Sequence, residues 1–115
     1  MKTIKENSTN QLNKKSINVQ CPVTFTLDII GGRWKPLLLW HLKGQTLRYS
    51  ELKKALPQIS EKMLIQQLKE LEADGLVMRK AKDIVPPYVE YSLTKMGKDL
   101  HPLLDSMAAW GMKYR

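Results

Sequence analysis

The chain has 115 residues, with 19 Lys and Arg against 11 Asp and Glu, a formal net charge of +8. That length supports one small domain with a real core, and the charge excess makes a polyanion the expected partner, nucleic acid ahead of a membrane surface. No apolar run approaches the roughly eighteen residues of a spanning helix, and residues 1–20 hold no signal-like segment, so a cytoplasmic protein without a membrane partner is expected.

Residues 1–20 are rich in Lys, Asn and Ser with scattered apolar positions, too sparse to bury alone, and read as a mobile tail ahead of a domain over 21–115. "CPVTFTLDIIGG" predicts a first helix over Pro22 to Ile30, with proline at a first-turn position and glycines at the end. "RWKPLLLWHLKG" predicts a second, apolar on most sides and therefore central to the core, with Gly44 closing it. After a short extended piece at Thr46 to Arg48, Ser50 is the expected cap of a short helix whose Leu52 and Leu56 point inward and which Pro57 stops. Only Gln58 and Ile59 separate that stop from Ser60, the expected cap of a helix from Glu61 to Asp74 closed by Gly75. On that helix Leu64, Leu68 and Leu71 share one side, with Ile65 at its edge. Lys62, Gln66 and Lys69 fall nearly opposite, flanked by Met63 and Glu70. "LVMRKAK" and "YVEYSLT" read as strands joined by the proline-containing "DIVPP", a hairpin. Thr94 is the expected cap of a last helix in which Met96, Leu100, Leu103, Leu104 and Met107 form a stripe. Pro102 predicts a kink or restart near Asp99.

Two helices joined by so short a turn and followed by a hairpin give a mainly α fold with a small β hairpin, a winged helix-turn-helix. A helix fits the major groove of DNA, and a hairpin beside it can reach phosphates or the neighbouring minor groove. The candidate DNA contacts are Arg48, Ser60, Lys62, Met63, Gln66, Gln67 and Lys69, with Arg79, Lys80 and Lys82 on the wing. Gln66 and Gln67 can pair bidentately with adenine, and Lys62 and Lys69 can serve guanine or phosphate. A plain solvated helix face is the competing reading. The net charge, the short turn and the basic hairpin together favour DNA. Glu61 and Glu70 run against it, although a carboxylate at Glu61 suits the positive end of a helix.

The segment from Cys21 to Arg115 resembles the HxlR-type winged-helix transcriptional regulators, a branch similar to the MarR regulators. The resemblance rests on "CPV", "GGRW", "LRYSEL", "ISEKMLIQQLKELEADGLVMRK", "VPPYVEYSLTKMG" and the late Trp110 with Gly111. It departs at Tyr49, where the family usually has phenylalanine. The resemblance implies a homodimeric bacterial DNA-binding protein, paired through its first and last helices, on a roughly palindromic operator. Apolar surface argues for a dimer as well, since Phe25 and Ile29 on the first helix and Leu104, Met107 and Trp110 on the last exceed what one small core readily covers. Two reading helices on a twofold axis would then sit about 34 Å apart, or a multiple of that.

Cys21 stands immediately before Pro22, at the positive end of a helix, where a thiol pKa is lowered and the thiolate exposed to oxidants. The resemblance implies the same, since some HxlR-type members sense oxidants or electrophiles with a cysteine here. The competing reading is a small inert residue near the dimer contact. As the sole cysteine it excludes an internal disulfide. His41 and His101 stand too far apart for an expected zinc site, and Trp34, Trp40 and Trp110 read as packing residues. No metal, cofactor or enzymatic activity is expected, for want of a nucleophile–base spacing or a phosphate loop. The expected function is a sequence-specific regulator, a repressor by default, and its alternative a winged-helix protein-interaction module.

Overall fold

The computed structural model describes residues 21–115, so the tail expected over 1–20 lies outside the described residues. Two units follow one another in the chain, divided between Gly31 and Gly32. In the first, helix α1 spans Pro22–Ile30, with Cys21 as its extended N-cap residue and proline in its first turn. No helix among the described residues is long and apolar enough to cross a membrane.

The second unit runs α2 (Trp34–His41), β1 (Leu47–Arg48), α3 (Tyr49–Ala55), α4 (Glu61–Ala73), β2 (Val77–Lys82), β3 (Tyr88–Leu93), α5 (Lys95–Lys98) and α6 (His101–Tyr114). This is a winged helix: α3 and α4 form the helix-turn-helix, and β2 with β3 form the wing. Helix α2 packs against α3, α4 and α6, which makes it the strut of the unit. The tight turn between α3 and α4 is pinned from within, because Leu56 and Ile59 are both buried and the Ile59 N–H donates to the Leu56 carbonyl at 3.2 Å.

Helix α4 begins where Ser60 Oγ accepts from the Met63 N–H at 3.1 Å, satisfying a donor that the first helical turn would otherwise leave open. Leu64, Leu68 and Leu71 are fully buried along one stripe. The helix ends in a Schellman arrangement: Gly75 takes φ +82°, its N–H donates to Glu72, and the Leu76 N–H reaches back to the Leu71 carbonyl at 2.9 Å. The hairpin that follows is locked to α5 by Thr94, whose hydroxyl donates to the Gly75 carbonyl at 2.6 Å and accepts from the Gly97 N–H at 3.1 Å. Gly97 has no room for a side chain, since a Cβ there would lie 2.2 Å from the Leu76 carbonyl oxygen.

Four expectations need correction. The two-residue β1 joins the hairpin, giving a three-stranded antiparallel sheet in the order β1-β3-β2, with Leu47 opposite Tyr91 and Arg48 opposite Glu90. Helix α3 starts at Tyr49 rather than after a Ser50 cap. The Glu51 carboxylate accepts from the Arg48 N–H at 2.7 Å and does the capping from inside the first turn. Helix α2 is less central than its composition suggests: Leu38 and Leu39 are buried, whereas Trp40 is 39% exposed with Lys43 Nζ 5.1 Å over its ring. The last-helix stripe likewise buries only Leu104 fully, and Trp110 is 69% exposed. The break anticipated from Pro102 is present, with α5 ending at Lys98 and α6 starting at His101.

Candidate nucleic-acid interface

The face of α4 turned away from its leucine stripe carries Lys62, Gln66 and Lys69, all exposed, with Met63 exposed beside them. Gln67 lies closer to the buried side. It is half-buried, and its amide nitrogen sits 3.3 Å from Met63 Sδ, so the two glutamines are not equivalent: Gln66 faces out and Gln67 lies along the helix flank. Ser60 is exposed but its oxygen is occupied by the helix cap, which leaves its hydroxyl hydrogen for an outside partner.

Glu70, which looked adverse beside a polyanion, is part of a built network. Lys35, buried on α2, places Nζ 2.6 Å from Glu70 Oε1, and Gln66 Nε2 donates to Glu70 Oε2 at 3.1 Å. The Lys35 ammonium holds the Glu70 carboxyl below its ordinary range, against the opposing effect of partial burial and with help from the Gln66 hydrogen bond. This carboxylate is therefore neutralised from the core side, and only sequence-distant packing could reveal it.

On the wing, strand alternation separates the basic residues. Directly opposed residues of an antiparallel pair share a face. Arg79 is opposite Tyr91, which is buried, so Arg79 leaves the sheet on the face shared with the core, yet it is exposed. Lys80 is opposite Glu90 and Lys82 opposite Tyr88, so both lie on the outer face. Arg48 is on that outer face too, opposite Glu90, with its guanidinium stacked 3.7 Å from the Tyr88 ring centroid. Lys82 Nζ lies 3.4 Å from Glu90 Oε1, which compensates part of its charge. The structure thus brings Lys62, Gln66 and Lys69 together on the helix and gathers Arg48, Lys80 and Lys82 around Glu90 on the sheet. The wing tip beyond them is apolar, with Val85 97% exposed.

Of the residues expected at a dimer contact, Phe25, Met107 and Trp110 are exposed and Ile29 is half-buried. Leu104 is a correction: at 3% exposure it belongs to the interior of a single chain and has little surface left to offer a partner. Cys21 is half-exposed. No helix N–H closes a full capping bond onto its sulfur, yet the Thr24 hydroxyl, then the Thr24 and Val23 N–H groups, favour the thiolate and hold this thiol below its ordinary range.

The sequence pattern of the HxlR-like helix-turn-helix family matches residues 29–115. The chain belongs to that family. It is 50% identical over 95 residues to the uncharacterized HTH-type transcriptional regulator YdeP of Bacillus subtilis (strain 168), a match covering 83% of this chain and 74% of that one. Its fold is similar to that of the redox regulator HypR in its oxidized form, with a TM-score of 0.79 at 48% identity over 83% of this chain and 98% of that one. It is also similar to the reduced form of the transcriptional regulator YodB from B. subtilis, with a TM-score of 0.71 at 34% identity over 82% and 93% of the two chains. Membership of the HxlR-like family makes this chain a DNA-binding transcriptional regulator of helix-turn-helix type rather than an enzyme.

Proposed function

We propose that the protein is a homodimeric repressor, cytoplasmic, that reads a pseudo-palindromic operator with α4 and responds to an oxidant or electrophile through Cys21. The observation that carries the reading is the uncovered row Lys62, Gln66 and Lys69 on a capped, rigidly packed helix, next to a hairpin with cations on both faces. Lysines supply phosphate contacts, Gln66 can read base edges, and the wing adds charge at the flank. Pairing is supported by the exposed Val23, Phe25 and Leu27 on α1 and by Met107, Trp110 and Met112 on α6, apolar surface of the kind partner subunits cover.

Sensing is supported by the lowered pKa of Cys21 and by the likeness to a protein described as a redox regulator. Modification at the start of α1 would shift the dimer seam, which sets the spacing of the two reading helices. Footprinting on the protein's own upstream region, with and without a mild oxidant, tests all three parts together. Two protected half-sites one helical turn or a multiple apart, weakened by oxidant, are expected. Unchanged affinity after complete modification of Cys21 removes the sensing role, and binding that does not weaken with salt favours the protein-interaction alternative.

A further inference from the structure

On the reading that α4 enters the major groove, we infer that Glu70, anchored by Lys35, is a positioning residue that fixes the Gln66 amide with its oxygen outward, so that Gln66 selects adenine and rejects guanine. The geometry is a three-member relay running from the core to the reading face. Lys35 Nζ engages one oxygen of Glu70 at 2.6 Å, and the other oxygen accepts from Gln66 Nε2 at 3.1 Å. An ionised carboxylate accepts hydrogen bonds and cannot donate them. Turning the Gln66 amide over would set Oε1 against that carboxylate, acceptor against acceptor, so one of the two amide orientations is excluded.

What remains pointing outward is Oε1 together with the second N–H of Nε2. Adenine offers a donor at N6 and an acceptor at N7, and matches that pair; guanine offers acceptors at both O6 and N7, and meets Oε1 with repulsion. A glutamine free to turn could instead present its NH2 group outward to guanine. Removing the charge of Glu70 would free it: a glutamine at that position can donate to Oε1 of Gln66 as readily as it accepts from Nε2. The relay therefore converts an ambiguous side chain into a one-sided reader.

The test begins with wild-type protein and a pool of random-sequence duplexes, and identifies the base pair whose preference disappears in Gln66→Ala. At that pair, duplexes differing only in adenine or guanine are then compared across variants. A bidentate match against a mismatch leads to an expected wild-type preference of about tenfold for adenine. Glu70→Gln should reduce it to about threefold or less while the other positions are read as before, since a ratio between two duplexes is unaffected by a uniform gain in phosphate attraction. Lys35→Met alone should keep the preference, because the carboxylate is still present to orient the amide, and Lys35→Met with Glu70→Gln should lose it without leaving a buried charge unpaired. A preference kept in both variants that carry Glu70→Gln, a guanine preference in the wild type, or a Gln66→Ala variant that reads every pair normally would overturn the inference while leaving DNA binding intact. Failure of the wild type to enrich any sequence would overturn the proposed function itself.

Discussion

Alternation on β2 makes Arg79 and Lys80 opposite in orientation, and this gives a sharp expectation for two substitutions that sequence alone would treat alike. Arg79 emerges on the face shared with the helices, whereas Lys80 lies on the outer face opposite Glu90. If α4 lies in the groove, Arg79 is the wing cation on the side of the duplex. Each phosphate neutralised steepens the dependence of log affinity on log salt by about 0.9, so losing one contact from each half of a dimer flattens the slope by about 1.8. Over a fourfold rise in salt, that amounts to about a twelvefold smaller loss of affinity for Arg79→Ala than for the wild type. Lys80→Ala and Lys82→Ala should each change the slope by less than about 0.5, since both side chains sit on the outer face with Glu90. Fluorescence anisotropy with a labelled operator duplex across a salt series measures all four slopes. Equal slope changes for Arg79→Ala and Lys80→Ala would refute the assignment of faces, and an unchanged slope for Arg79→Ala would refute the wing contact.

Three further expectations concern stability and reactivity. Glu70 titrates below its ordinary value of 4.5 in the folded chain, so its ion pair with Lys35 stabilises the fold above that pH and the contribution is lost as pH falls through the lowered value. Glu70→Gln should therefore cost about 1 kcal/mol at neutral pH, less than a fully buried pair because the Glu70 side chain is 41% exposed, and urea titrations should show the gap closing as pH falls through the lowered value; a gap that does not track protonation of Glu70 would exclude the ion pair as its cause. The Tyr49 hydroxyl is buried without a hydrogen-bond partner among the described residues, and burial, then the neighbouring Glu61 and Tyr91, push its pKa up. Tyr49→Phe should leave stability unchanged or raise it by up to about 1 kcal/mol, and a loss in thermal or urea unfolding would show that the hydroxyl has a partner. Thr24→Val should move the pH midpoint of Cys21 alkylation upward, because it removes the largest influence favouring the thiolate; the same midpoint by mass-shift kinetics would assign the lowering to the helix end alone.

The elements that sequence made legible are those whose signals are local. The α4 stripe, the Ser60 cap, the Gly75 stop and the restart at Pro102 each depend on residues within a turn or two of one another, and each is where periodicity and capping chemistry put it. The α3 start is hidden from sequence because the capping group is not the residue at the cap. Glu51 acts backward on Arg48, while Ser50, the better cap type, is already inside the helix. Trp40 is exposed against its aromatic character because phase decides: Leu38, Leu39 and Leu42 define the inward side of α2, and Leu37 with Trp40 falls outside it. The pairing of β1 with β3 carries almost no local signal in two residues and is decided by tertiary contact.

Charge was the least legible property, and for a reason that bears on function. A net charge of +8 counts every lysine equally, yet the structure pairs Lys35 with Glu70, Lys43 with Asp105 and Lys82 with Glu90. Two of those pairs neutralise carboxylates at the candidate interface, one beside Gln66 and one on the wing. Of the acids that run against DNA binding, Glu70 is thus held by the buried Lys35, and Lys82, a candidate contact, is itself paired with Glu90. If α4 and the wing contact DNA as proposed, the cations left uncovered on that side are Lys62, Lys69 and Arg79, and the steepness of the salt dependence should follow that set rather than the total.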